Sequence, residues 1–191
     1  MLYTPTTTNR TPKSCVDEKN HYLCIMDCFC PHTVAFTGHR SYSRRNDSII
    51  EREVKTLYDI GARRFRVGMA EGFDLAAACV VLMHKRQHPD IVLEIFIPWH
   101  EFATTFSTTN RHLYNLIVAQ ASEIHYISEE YHSGVYQERN EAMVDGSDLV
   151  VAWWNHKPSG TANTIRYARK VGCPVKNIFD FQQLEPSESI L

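Results

Sequence analysis

From position 33 onward, short runs of apolar, β-prone residues alternate with amphipathic stretches. The apolar runs predict strands at residues 33–38, 64–69, 91–97, 123–128, 148–154 and 174–179. The stretches between them predict helices at about residues 45–60, 73–88, 109–121, 136–146 and 161–171. In the first helix, one apolar stripe is formed by Ile49, Ile50, Val54, Leu57 and Tyr58.

Strands that alternate with single helices indicate repeated βαβ units and hence an α/β protein. We predict a mainly parallel sheet of five to seven strands, with helices on both faces because parallel crossovers cover both sides. A chain of 191 residues with 43% apolar and 22% charged residues is long enough for one domain with a sizeable core.

In such a sheet the carboxyl ends of all strands lie at one edge, and ligands bind there. The segments that reach this edge are residues 37–40, 68–74, 98–100, 131–140 and 153–161, which carry glycines, donors, aromatic rings and carboxylates. We predict that the ligand contacts Thr37, Gly38, His39, Arg40, Gly68, Gly72, Asp74, Arg139, Asn140, Trp154, Ser159, Gly160, Thr161 and Thr164.

A phosphate group suits two of these segments. Ser159-Gly160-Thr161 opens a helix after a strand, so free backbone N–H groups and the positive end of the helix dipole would face the ligand. Thr164 adds a hydroxyl one turn later. The Gly38 turn places Arg40, whose guanidinium suits a phosphate, at the same edge.

Other positions leave two readings open. Gly68 and Gly72 permit a close backbone approach, either to a ligand or to the adjacent helix. Asp74 could contact a ribose or only stabilise the first turn of its helix. Of the neighbouring Trp153 and Trp154, one should lie in the core and the other could stack on a base.

Net charge and cysteine content indicate which classes of partner and which cellular compartment to expect. The net charge of −2 gives no general attraction to nucleic acid or to an anionic membrane, so we expect neither as a partner. The sequence has no apolar run of about 18 residues and no basic-then-apolar start that would indicate a secretory signal. Six cysteines in this setting favour a reduced, cytoplasmic protein.

Residues 1–32 differ in composition from the rest. The first 13 are rich in Thr, Pro and Asn, so we predict a partly disordered N-terminal extension at residues 1–32 and a ligand-binding domain at residues 33–191. Cys24, Cys28, Cys30 and His32 lack the C-x2-C pairs of structural zinc sites. We therefore expect no metal there, and no cofactor elsewhere.

Catalytic signals are weaker than binding signals. The sequence has neither the G-x-S-x-G motif of serine hydrolases nor the phosphate-binding loop of P-loop NTPases. Glu71 and Asp74 are candidate acids or bases at the predicted edge, but neither is paired with another carboxylate at a fixed spacing. The catalytic residues, if there are any, are not determined by the sequence.

Several motifs, in this order and spacing, resemble the YpsA family of the SLOG superfamily. They are Thr37-Gly38-His39-Arg40, Gly68 to Asp74, Arg139-Asn140, Met143-Val144-Asp145, Ser147-Asp148 and Gly160-Thr161, within residues 33–179. The superfamily also holds the DprA/Smf DNA-processing proteins and the LOG phosphoribohydrolases. The resemblance implies a Rossmann-like three-layer sandwich, a nucleotide or nucleotide-derived ligand and a homodimer.

Residues 139–164 also resemble the LOG segment in which an arginine, a Ser-Asp pair and a G-T-x-x-E loop form the active site. Arg139 stands at the arginine position and is therefore a third catalytic candidate, whereas Thr164 stands where LOG proteins have the glutamate. An oxocarbenium-like transition state would need a carboxylate near the sugar. This departure argues against glycosidic hydrolysis by the LOG route.

Two functions from different classes follow. The first is a nucleotide-binding or sensing module. The alternative is a hydrolase or transferase that acts on an N-glycosidic or phosphate bond of a nucleotide derivative. Single-stranded DNA binding, as in DprA, is not expected, because Arg40, Arg44 and Arg45 would serve one phosphate rather than a nucleic-acid track.

Overall fold

The computed structural model describes residues 29–179, which form one six-stranded parallel sheet with helices on both faces. The strands are β1 (Thr33–Gly38), β2 (Arg64–Val67), β3 (Val92–Trp99), β4 (Glu123–Ser128), β5 (Leu149–Trp153) and β6 (Val175–Asn177). The helices are α1 (Asp47–Asp59), α2 (Phe73–Gln87), α3 (Thr108–Val118), α4 (Val135–Val144) and α5 (Gly160–Lys170), with 3-10 turns at Arg44–Asn46 and Phe102–Thr105. The predicted α/β, Rossmann-like class is confirmed.

The sheet is buried on both faces. In β1, Val34 and Phe36 pack into the larger core, which also contains the apolar residues of α1, α2 and α3. Ala35, which points to the opposite face, packs with residues of α4 and α5 in a smaller core. This explains why β1 and β5 are continuous apolar runs, whereas β2 alternates Arg64 and Arg66 with Phe65 and Val67.

The strand order is β4-β3-β2-β1-β5-β6. The chain therefore builds the sheet outward from β1 to β4 and then crosses back, so that β5 pairs with the other side of β1. The loops that leave β1 and β5 run to opposite faces of the sheet, and the region between them is here called the crevice. This topological switch point is where open α/β sheets bind ligands.

Three predicted strands are shorter in the structure, the fifth by only one residue at each end. The second ends at Val67 rather than at residue 69, because Met69 has a φ of 60°, outside the strand region. The last covers only Val175–Asn177, because Asn177 Oδ1 accepts the N–H groups of Trp154 and Phe179 in place of strand pairing. These strands thus end where the backbone leaves the strand conformation or where a side chain takes over its hydrogen bonds.

Most of the predicted N-terminal extension, including Cys24 and Cys28, lies outside the described residues. The boundary between the extension and the domain remains a prediction. Within residues 29–179, no helix has the length and apolar character needed to cross a bilayer.

Candidate functional site

The loops that leave β1 and β5 meet across the switch point. Gly38 at the end of β1 pairs with Trp153 at the end of β5. Just beyond them, His39 Nε2 accepts the backbone N–H of Asn155 at 3.1 Å. Two of the segments predicted to converge at this edge therefore lie side by side and form the walls of the crevice.

The N-terminus of α5 opens on the crevice with donors to spare. Ser159 caps the helix, because its Oγ accepts the N–H of Ala162 at 3.2 Å. Among the described residues, the N–H groups of Gly160 and Thr161 have no acceptor. Gly160 is exposed, and a Cβ placed on it would meet open space. The helix start thus has the geometry of an anion site.

Thr164, predicted as a second hydroxyl for the same ligand, does not face the crevice. Its side chain is 0% exposed, and its Oγ1 donates to the carbonyl of Gly160 at 3.2 Å. The position lies one turn into α5, on the side of the helix that packs on the sheet. In this structure the hydroxyl of Thr164 is therefore bonded within α5, which argues against the predicted ligand contact.

Arg40 is an exposed cation in the loop after β1. Its guanidinium carbon lies 5.9 Å from the centre of the Tyr136 ring, in the first turn of α4. Within residues 29–179, no carboxylate lies within ion-pair distance of this guanidinium. An exposed arginine without a bound carboxylate at a ligand edge is available to a phosphate.

Three glycines at this edge are required by the protein itself. A Cβ on Gly38 would overlap the ring of Phe73, and one on Gly68 would overlap the guanidinium of Arg139. Gly72 has a φ of 84°, and its Cβ would overlap the backbone of Arg40. Of the two readings left open for Gly68 and Gly72, close packing within the protein is the one that the structure supports.

Arg139 lies beneath the edge rather than on a solvated helix face. Only 6% of the residue is exposed, and its Nη1 donates to the carbonyl of Gly68. Its Nε donates to Asn140 Oδ1 at 2.9 Å, and its Nη1 lies 3.8 Å from Asp74 Oδ2. Its neighbours on the helix, Glu138 and Glu141, pair with His132 and Gln137 rather than with Arg139. Arg139 and Asn140 therefore support the loop after β2 from below.

Asp74 is the buried carboxylate of this arrangement. Its Oδ2 accepts the N–H of Ala70 at 3.2 Å. Burial raises the pKa of Asp74 to about 6, although the nearby Arg139 opposes this shift. Burial likewise lowers the pKa of Arg139. The prediction that Asp74 faces the ligand gives way to a role inside the loop that joins β2 to α2.

The remaining predicted residues divide between core and edge. Trp153 is buried, whereas Trp154 is half-buried and donates from Nε1 to the Lys157 carbonyl at 2.8 Å, so the prediction of one core tryptophan is confirmed. Thr37 is buried at the end of β1. Glu71 lies at the edge, and its Oε1 accepts the Asn110 amide at 2.8 Å. Each therefore already has a place in the protein's own packing or hydrogen bonding.

A set of aromatic rings at the same edge has no role in the sequence-based site. Trp99 ends β3, and around it pack Phe102, Tyr131 and Tyr136 at centroid distances of 5.1 to 5.5 Å. The sequence places residues 98–100 and 131–140 at this edge but does not indicate that their rings meet. That contact depends on the pairing of β3 with β4.

Within residues 29–179, metal-ligating atoms come together in the group formed by Glu94, Glu123 and His125, where they lie within 4.8 Å of one another. The group lies on the sheet face, away from the crevice. Arg64 and Arg66 already donate to both oxygens of Glu94. Two guanidiniums beside the carboxylate take the place that a cation would occupy.

Comparison with known proteins places the chain in a family. A family model described as "YspA SLOG family" (YpsA) matches residues 34–184. The chain belongs to the YpsA family of SLOG proteins. A relative in this comparison is the SPbeta prophage-derived protein YoqJ of Bacillus subtilis, 33% identical over 119 residues, which cover 56% of this chain and 70% of YoqJ. A UPF0398 protein of Bacillus cereus is 24% identical over 153 residues, covering 73% and 83% of the two chains.

Two solved structures share the fold of this YpsA-family chain. DNA processing protein A (DprA) of Streptococcus pneumoniae has a TM-score of 0.60 at 19% identity, over 79% of this chain and 51% of that protein. DprA of Helicobacter pylori, a structure described for its single-stranded DNA binding mode, has a TM-score of 0.58 at 19% identity, over 80% and 67% of the two chains. The chain thus spans about half of the first protein and two thirds of the second.

These likenesses correct the expectation about nucleic acid. A net charge of −2 was the ground for excluding it as a partner of this YpsA-family protein. That exclusion is wrong, because one protein that shares the fold is described as binding single-stranded DNA. Net charge averages over the whole surface, whereas phosphate contacts depend on the few cations at the site.

Proposed function

We propose that this protein binds a nucleotide or a nucleotide-derived ligand in the crevice between the β1 and β5 loops, as a binding or sensing module. The observation that carries the proposal is the composition of the switch point. The N–H groups of Gly160 and Thr161, which have no acceptor within residues 29–179, and the guanidinium of Arg40, which has no carboxylate partner there, belong to the loops and helix around one crevice. Such donors suit a phosphate, and family membership agrees with a nucleotide.

Binding is favoured over turnover by the state of the carboxylates. Glu71 is held by Asn110, and Asp74 is buried beside Arg139. Thr164, at the position of the LOG glutamate, is buried in α5 and has no carboxylate. The hydrolase or transferase alternative would need one of these side chains to reorient toward the sugar or phosphate.

Arg40 provides the first test. Calorimetry with AMP should show about tenfold weaker binding by Arg40→Ala, because charge-assisted hydrogen bonds to the phosphate are lost. Adenosine, which lacks the phosphate, should bind both proteins equally. The matched control is Arg86→Ala, which removes an exposed charge near the end of α2, at the opposite edge of the sheet. Equal AMP affinity of the Arg40→Ala variant and the unmodified chain would reject Arg40 as a phosphate contact.

Gly160 provides the second. Since a Cβ at this position meets open space, Gly160→Val should leave the circular dichroism spectrum and the melting temperature intact. The branched side chain would nevertheless cover the N–H groups at the helix start and should abolish AMP binding. Unchanged AMP affinity would remove this loop from the site. Mass spectrometry of small molecules that co-purify with the chain would identify the natural ligand.

A further inference from the structure

Next to the crevice, the aromatic rings at the ends of β3 and β4 leave a large surface exposed. Tyr131 is 62% exposed and Tyr136 is 36% exposed, and both pack against Trp99. The planes of these three rings meet at 64° to 79°, so none is stacked in parallel on another. Flat aromatic surface is thus left to solvent at the edge where the ligand is expected.

Arg40 joins this aromatic cluster of Trp99, Tyr131 and Tyr136 to the crevice. Its backbone belongs to the β1 loop and packs against Gly72, while its guanidinium extends to 5.9 Å from the centre of the Tyr136 ring. A phosphate bound by Arg40 would therefore have the switch point on one side and the aromatic cluster on the other. Aromatic rings beside a cation are the arrangement by which proteins stack bases of a phosphate-linked chain.

We propose that the aromatic cluster is a second nucleobase subsite, so that the ligand carries two bases joined through phosphate at Arg40. This inference rests on the proposed nucleotide site and extends it by one unit. The shared chemistry is a second base linked through phosphate, and both a pyrophosphate-linked dinucleotide and a short single strand of DNA provide it. Stacking needs no particular base, so the cluster adds affinity more than sequence preference.

The experiment compares one-base and two-base probes on the full chain. The one-base probe is AMP. The two-base probes are NAD and a single-stranded oligo-dA of six nucleotides. Tyr131→Ala should weaken binding of whichever two-base probe binds by roughly tenfold and leave AMP affinity unchanged. Tyr136→Ala should weaken binding of that probe by at least as much, because it also removes the ring beside Arg40. Tyr131→Phe and Tyr136→Phe, which keep the ring and remove the hydroxyl, should bind like the unmodified chain. Tight binding of NAD alone identifies a dinucleotide, and tight binding of the oligonucleotide alone identifies a single strand.

Three results would overturn the proposal. In the first, AMP binds but neither two-base probe binds more tightly. In the second, Tyr131→Ala weakens the binding of AMP as much as that of the two-base probe, which would make the cluster the site of the first base. In the third, Tyr131→Ala changes the mass in light scattering and leaves every affinity unchanged, which would make the cluster a contact between copies of the chain. Failure of AMP to bind the unmodified chain would instead reject the proposed function itself.

Discussion

Two polar regions of the molecule differ in what neutralises their charged groups. The first, here called the charged ladder, consists of Arg64, Arg66, Glu94, Glu123 and His125 on β2, β3 and β4. The side chain of Glu94 is 2% exposed and accepts hydrogen bonds from both arginines. Arg64 also donates to Glu123 at 2.7 Å, and Arg66 donates to the Asp145 carbonyl at 2.6 Å.

The second group is the crevice at the carboxyl ends of β1 and β5. There Arg40 is exposed, and no carboxylate of the described chain forms an ion pair with it. The N–H groups at the start of α5 likewise have no acceptor in residues 29–179. Arg64 and Arg66 thus pair with carboxylates and link neighbouring strands, whereas Arg40 remains available to a ligand. Their position along the strands makes the difference, since the ladder begins at the amino ends of β2 and β4.

The largest effect that separates the two groups is expected from Glu94→Ala. Removing this buried carboxylate leaves Arg64 and Arg66 without their shared partner, so the free energy of unfolding should fall by about 3–5 kcal/mol. AMP affinity of the folded protein should not change. Urea unfolding and calorimetry measure the two quantities.

Glu123→Ala is the matched control for the ladder. Its side chain is 41% exposed, and its pairing with Arg64 should contribute less than about 1 kcal/mol. If Glu94→Ala unfolds too far to be purified, Glu94→Gln keeps the shape and removes the charge. A Glu94→Gln protein as stable as the unmodified chain would contradict the view that the ladder is a structural ion pair.

A smaller loss of stability is expected from Gly68→Ala, in the loop that follows β2. The new methyl group would overlap the guanidinium of Arg139 and push it from the Gly68 carbonyl, which should cost about 1–3 kcal/mol of folding free energy. Gly160→Ala introduces the same methyl group into open space and should change stability by less than about 1 kcal/mol. Equal melting temperatures for the two variants would argue against close packing at Gly68.

The smallest effect concerns pH. The pKa of Asp74 is about 6 in the folded protein against an ordinary value of 3.8, so the folded state binds the proton more tightly. The stability that comes from this proton is complete below pH 3.8 and is lost as the pH rises through about 6. From pH 4.5 to 7, the unmodified chain should therefore lose up to about 2 kcal/mol relative to Asp74→Asn, which has no carboxyl to titrate. Urea unfolding of both proteins at both pH values measures this difference. The same difference in free energy of unfolding at pH 4.5 and at pH 7 would contradict a buried Asp74 that titrates in this range.

Much of the fold could be predicted from local patterns. The first and fourth predicted strands have the observed bounds, and each predicted helix lies within two or three residues of an observed one. Residues near the ends of β1 and β5 were also placed at one ligand edge, since all parallel strands end there. Thr164 was misplaced because a hydroxyl one turn into α5 can face either the sheet or the ligand, and the sequence alone does not fix the rotation of the helix.

The sequence by itself determined the order of strands and helices, the parallel sheet and the edge at which loops gather, because hydrophobic periodicity acts over a few residues. Only the tertiary structure decided that β5 lies beside β1, that Arg139 reaches a carbonyl 71 residues away, and that the rings of Trp99, Tyr131 and Tyr136 meet. These facts depend on strand order and on helix rotation against the sheet. Packing across the whole core sets both, so no local stretch of sequence encodes them.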